Sequence, residues 1–369
     1  MEWNEVMQSI QAGLTGDRKK DISYLQAQKE KFRDTEFETQ VERMADRLIF
    51  DLLPEDASVE MPDAPVEKNP VKFPALEAAG PDEDEDFDDA EDAVNYADYH
   101  YLQGNYEKAR IIILKAIQKT AKEFPAKTGN GIVNVSFNFP MEELIYRHLI
   151  AAKDREILRS EVPWSEMYLI YGSALAGLKQ YDAARTALKT AVQWNPVNPK
   201  IILEYAETFR AQGRMAKYRD VVLQAMQRAW TGEDLGHCYR CLARYYLSLS
   251  QIREAVGCCE LSLQYDENSR ETKDLLAEIQ EKNGKIPAPD FDEMKELAQK
   301  SGFPLGPDKR VVGLAMTYAD HFLHEEPNPE MANYFLGIVY DLTGSEEIGK
   351  MMAEQGERAK AAKDFDAKG

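Results

Sequence analysis

Four cysteines, two histidines and a scatter of carboxylates are the side chains whose types and spacing could carry chemistry in this sequence. Cys238 and Cys241 form a Cys-x-x-Cys, and Cys258 and Cys259 follow on what should be the antiparallel partner helix. Four thiolates would suit a tetrahedral zinc ion. Adjacent side chains on a helix point about 100° apart, so the Cys258-Cys259 pair closes such a site poorly. The expected role is that of small buried side chains in crowded helices, with no metal. A redox role would need a thiol of lowered pKa, usually at a helix N-terminus beside a βαβ unit, and none is legible. His321 and His324 lie one turn apart in HFLHEE. That order is not the His-Glu-x-x-His of zinc peptidases and reads as a helix-end pair with capping charges. There is no Gly-rich phosphate loop and no Gly-x-Ser-x-Gly elbow. Neither catalytic residues, nor a metal, nor a cofactor is expected, and the chain does not read as an enzyme.

The constellation with a use is a stripe of charge. On one candidate helix Lys200, Leu203, Glu207 and Arg210 fall at i, i+3, i+7 and i+10, and on the next His237, Arg240, Arg244 and Leu247 do the same. Guanidinium groups so placed can make charge-assisted hydrogen bonds to the acidic side chains of a polypeptide. The plainer alternative is that these arginines are solvated or paired with Glu204 or Glu207.

Such a cationic stripe stands out because the chain is acidic. Its formal charge is −20, and residues 51–92 hold sixteen acidic residues against Lys68 and Lys72. A field of that sign repels phosphate backbones and anionic lipid, and no basic patch with interleaved aromatics overturns it. Nucleic acid and membrane are not expected partners. The N-terminal MEWNEVMQSIQAG has no cationic region before an apolar core, and no run reaches the roughly 18 apolar residues of a membrane span. A cytoplasmic location is the expectation, with the cysteines as thiols.

The elements that must position the stripe come from a repeat. Tyr106 with Ala109, Tyr181 with Ala184, Met215 with Tyr218 and Ile252 with Ala255 recur as anchors, the second and third 34 residues apart. Twelve positions before each anchor sits a small residue behind a bulky one: Tyr96-Ala97, Tyr171-Gly172, Tyr205-Ala206 and Leu242-Ala243. The clearest copy is Tyr168, Tyr171-Gly172, Leu175, Tyr181, Ala184, Leu188, Ala191 and Pro196. This pattern resembles the tetratricopeptide repeat family, over about 92–281 with a looser echo at Tyr334, Leu336-Gly337 and Tyr340.

The resemblance implies an all-α fold, a right-handed superhelical solenoid of helical hairpins in which small residues let helices approach and large ones fill the groove between them. It also implies that the charged stripe lines a concave groove that grips polypeptides. Chaperone-binding members of the family hold a C-terminal carboxylate with a clamp of Lys, Asn and Arg. The matching positions here include Val94, Asp98, Glu204, His237 and Cys241, so the clamp does not carry over and a chaperone tail is disfavoured.

The domains expected are an N-terminal helical segment (1–53), an acidic, Pro-rich disordered linker (54–91), the repeat core (92–283) and a C-terminal helical extension with a degenerate repeat (284–369). An insertion over about 126–163 separates the first two repeats. Within it Val133, Val135, Phe137 and Phe139 alternate with polar residues, which predicts a lone extended segment lying against the helices. The helices after residue 308 are expected to continue or close the solenoid. The function that follows is a scaffold or adaptor taking a protein or peptide, an acidic segment among the candidates, in its groove. The alternative is a signal-responsive regulator sensing a small peptide or ligand.

Overall fold

The computed structural model describes residues 3–15, 18–32, 35, 37, 41, 45, 89–124, 132–151 and 155–366. The linker expected over 54–91 lies outside the described residues up to position 88, as do 125–131 of the insertion. Helices α1 (Trp3–Ala12) and α2 (Arg18–Lys31) close a small cluster around Val6, Ile10 and Leu25.

The body begins with α3 (Ala90–Leu102), capped by the Asp89 carboxylate, and α4 (Tyr106–Glu123). The insertion follows as β1 (Ile132–Val135), α5 (Pro140–Ile145) with a π turn after it (Tyr146–Ile150), and β2 (Glu156–Arg159). The extended segment is not alone: β1 pairs in parallel with β2, Ile132 opposite Glu156 through Val135 opposite Arg159. The residues between carry a helix that crosses from one strand to the other, as parallel pairing requires. The alternation of Val133 and Val135 showed one strand, while EILR over 156–159 is too short and too charged to announce its partner.

The remaining pairs are α6 (Trp164–Gly177) with α7 (Tyr181–Trp194), α8 (Pro199–Ala211) with α9 (Met215–Met226), and α10 (Gly232–Ser248) with α11 (Ile252–Tyr265). Turns of a few residues make each pair antiparallel. Each second helix meets the first helix of the next pair, and α3, α6, α8 and α10 also touch in succession as one layer. This is a helical-hairpin solenoid, with a core running from Ile113 through Leu188 and Tyr218 to Cys258. The small residues do what their positions suggest: a Cβ on Gly172 would lie 2.5 Å from Leu188 Cγ, closer than two carbons can pack. Start signals are local, as at α8, where Asn198 accepts from Ile201 N at 3.1 Å and Pro199 supplies a first position that needs no donor.

Beyond α11, α12 (Arg270–Asn283) covers the end of the row, and α13 (Phe291–Ser301) lies across α11, where Gly257 leaves room for Met294 and Pro289. The chain then turns back. Tyr239 donates to the Pro304 carbonyl at 2.9 Å and accepts from Gly306 N at 2.7 Å, which pins residues 303–306 to α10. Helices α14 (Lys309–His324), α15 (Pro329–Thr343) and α16 (Glu346–Asp366) pack on one another, and α14 reaches α5 of the insertion. They therefore do not prolong the row. Val133, Phe137 and Met141 of the insertion share a second core with Val311, Ala315 and Phe335, and Val197 and Trp230 of two inter-repeat turns join it. Apolar faces of the insertion and of the C-terminal helices cover each other.

A buried carboxylate joins the two cores. Glu142, fully buried, accepts from Asn138 N (2.7 Å), Phe139 N (3.2 Å), Asn195 Nδ2 (2.9 Å) and Asn198 Nδ2 (2.7 Å). Burial holds its carboxyl above the usual range, against the pull of those four bonds.

Candidate functional site

The layer of first helices presents a band of polar side chains between the apolar positions that enter the core. On α8 the core takes Ile201, Ile202, Tyr205, Ala206 and Phe209, which leaves Lys200, Glu204, Glu207 and Arg210 to the outside of the layer. On α10 it takes Leu235, Tyr239, Leu242 and Tyr246, which leaves His237, Arg244 and Leu247 half-buried on the same side. The same repeat positions on α6 hold Glu166 and Ser173, and on α3 Glu91 and Asp98.

The structure distributes the eight side chains singled out in the sequence as follows. Lys200 and Arg210 are exposed, and Leu203 is a core residue with no exposed surface. Glu207 gathers partners: Arg210 Nε at 2.5 Å and the Tyr218 hydroxyl at 3.0 Å. Arg210 is thereby neutralised within its own helix. On α10 Arg240 is nine-tenths buried, its Nη1 donating to Ser269 Oγ at 3.0 Å and Thr272 Oγ1 at 3.4 Å. Its Nε is buried with no acceptor. Among the described residues neither Arg240 nor Arg244 forms an ion pair with a carboxylate.

The setting of Arg240 makes that deficit larger. Ser269 is the residue that caps α12, so the guanidinium stands at the electropositive start of a 14-residue helix. His237 feels the same field: burial first, then Arg240, Arg244 and Lys200, push its pKa down to about 3. It is therefore neutral at physiological pH, and the positive charge on this side of the layer rests on Arg244 and Lys200, with Arg240 buried behind them. An anion arriving there would meet the half-buried Arg244, which has no ion pair with a carboxylate among the described residues.

At the other end the sign reverses. Burial, with Glu142, Glu91 and Asp98 nearby, raises the Glu166 carboxyl, and only Lys200 pulls it back. Burial and then Glu207 raise Glu204, again opposed by Lys200. These carboxylates were not in the sequence-derived stripe as a group. Carrying its offsets back 34 residues from α8 to α6, and 75 more to α3, would have found Glu166 and Glu91.

The four thiols are all buried, and burial raises each of them. No group of three or more potential metal ligands occurs among the described residues. His321 contacts Glu325 at 2.8 Å, and His324 contacts Asp320 at 3.5 Å, each an i, i+4 pair on the surface of α14. No helix among the described residues is long and apolar enough to cross a membrane.

Residues 165–198, which span α6, α7 and the turn after them, match the tetratricopeptide repeat family. No curated protein matches the chain. A solved structure from work on the functional characterization of Pseudomonas aeruginosa pilF is similar over 72% of this chain and 97% of its own, at 14% identity and a TM-score of 0.37.

Proposed function

We propose that this chain, whose residues 165–198 match the tetratricopeptide repeat family, is a non-catalytic cytoplasmic scaffold that takes an extended segment of another protein across α3, α6, α8 and α10. Repeats of this family generally mediate protein–protein contact, and the groove is the surface on which four first helices present equivalent positions. The observation that carries the reading is the pair Arg240 and Arg244, set beside each other on α10 without a carboxylate partner among the described residues. Arg240 is turned inward to the hydroxyls of Ser269 and Thr272, so Arg244, half-buried on the outer side of the layer, is the guanidinium that meets a ligand. An Asp or Glu of the bound segment pairs with Arg244, with Leu247 offering apolar surface beside it.

The test is capture of a partner from source-cell lysate on the full chain and on Arg244→Glu, followed by cross-linking from a photoreactive side chain at position 244. A partner held by the first and released by the second, with the cross-link beside an acidic side chain of one continuous segment, is the expected outcome. One charge-assisted contact is worth about 1.5–3 kcal/mol, so the affinity should fall at least tenfold. Equal retention by both proteins, with no cross-link, would place the binding surface elsewhere.

A further inference from the structure

The groove has two electrical ends, and this determines more about its occupant than the arginines alone. Equivalent repeat positions can be followed from helix to helix across the layer. The row that begins each stripe reads Glu91 on α3, Glu166 on α6, Lys200 on α8 and His237 on α10. Two turns further along the helices, the row reads Asp98, Ser173, Glu207 and Arg244. Both rows start in carboxylates, and both end against the guanidinium groups of α10. Glu204 adds a further carboxylate to the α8 position, close enough to Tyr101 of α3 for its charge to act on that phenol across the intervening α6.

From this placement we infer that the groove selects a segment carrying basic side chains at one end and acidic side chains at the other, bound in a single direction across the layer. The inference rests on the proposed groove function and names the chemistry of its partner. Charge complementarity fixes the direction: basic residues lie over α3 and α6, acidic ones over Arg240 and Arg244. Packed helices stand about 8–10 Å apart and an extended chain advances roughly 3.3 Å per residue, so two steps from α6 to α10 correspond to about six residues. A uniformly acidic segment is a poor occupant, because half of it would face Glu91, Asp98, Glu166 and Glu204. Like charges in contact set specificity by exclusion as much as opposite charges do by attraction.

Burial of the carboxylates supports the same conclusion from the side of the empty groove. Glu166 and Glu204 are both held above the ordinary carboxylate range, with Lys200 the one cation opposing the shift in each case. A Lys or Arg of the ligand would relieve both. Nothing comparable is available to a ligand that brings only carboxylates.

The experiment is selection of a displayed library of random 16-residue peptides on the folded full chain, repeated on Glu166→Gln, Glu204→Gln and Arg244→Glu, each checked by circular dichroism. The expected pool from the unmodified protein pairs a basic side chain with an acidic one five to seven residues away, in one order of sequence. Either glutamine variant should relax the basic preference at least threefold while the acidic one persists. A pool of acidic peptides with no basic partner, unchanged on both glutamine variants, would overturn the two-ended groove while leaving a binding groove intact. Peptides that bind Arg244→Glu as well as the unmodified protein would overturn the groove itself.

Discussion

Arg240 holds an unfavourable position, buried at the start of a helix with an unbonded Nε, and the hydroxyls of Ser269 and Thr272 compensate only its Nη1. The cysteines are the opposite case. Cys238, Cys241, Cys258 and Cys259 lie buried between α10 and α11, and Cys241 and Cys259 are pushed up to about 12, which leaves almost no thiolate at neutral pH. Because thiolate is the reactive form, a thiol reagent should find none of the four in the folded protein and all four in denaturant. Rapid labelling of any of them under native conditions would contradict their placement. The burial of the cysteines was legible from the crowded helices that carry them. The state of His237 was not: the sequence placed it in a cationic stripe, but its neutrality depends on burial and three neighbouring cations that only the packed helices bring together.

At the scale of elements, one buried side chain ties the insertion to the repeats beside the Ser136 N–Trp194 carbonyl bond and the shared second core. Glu142 opens α5 and binds Asn195 and Asn198 at the turn between α7 and α8, so it ties the start of a helix in the insertion to the start of a helix in the solenoid. Changing it to Ala leaves four donors without an acceptor, and a loss of about 3 kcal/mol or more is expected in urea unfolding. Asn195→Ala, which removes one donor, should cost about 1 kcal/mol. Equal, negligible losses for both would contradict the role given to Glu142. The hairpin repeats themselves were readable because bulky-small pairs such as Tyr171-Gly172 recur at fixed spacing. The β1–β2 pairing was not, because nothing in a four-residue strand such as EILR identifies a partner some twenty residues away.

For the whole molecule, two excursions from a repeat row form a second core. The helices after Lys309 return to the insertion instead of extending the solenoid, and Trp230 and Val197 show that they cover the turns between repeats, not the layer of first helices. That arrangement covers one edge of the row, away from the polar band of α3, α6, α8 and α10. Periodicity in α14 to α16 announced helices, and Tyr334 with Leu336-Gly337 suggested another repeat, yet which surface they cover depends on distant contacts that no local pattern encodes. The acidic field of the chain also belongs to this scale: it favours capture of the basic part of a segment first, after which the guanidinium groups orient the acidic part.

The most direct measurement of the central claim is amide hydrogen exchange across the full chain, with and without a segment taken from the selected pool. Protection concentrated in α6, α8 and α10, with little change in α4, α11 and α14 to α16, is the result predicted for a ligand lying across the layer of first helices. Protection centred on the insertion and the C-terminal helices, with α8 and α10 unchanged, would contradict it.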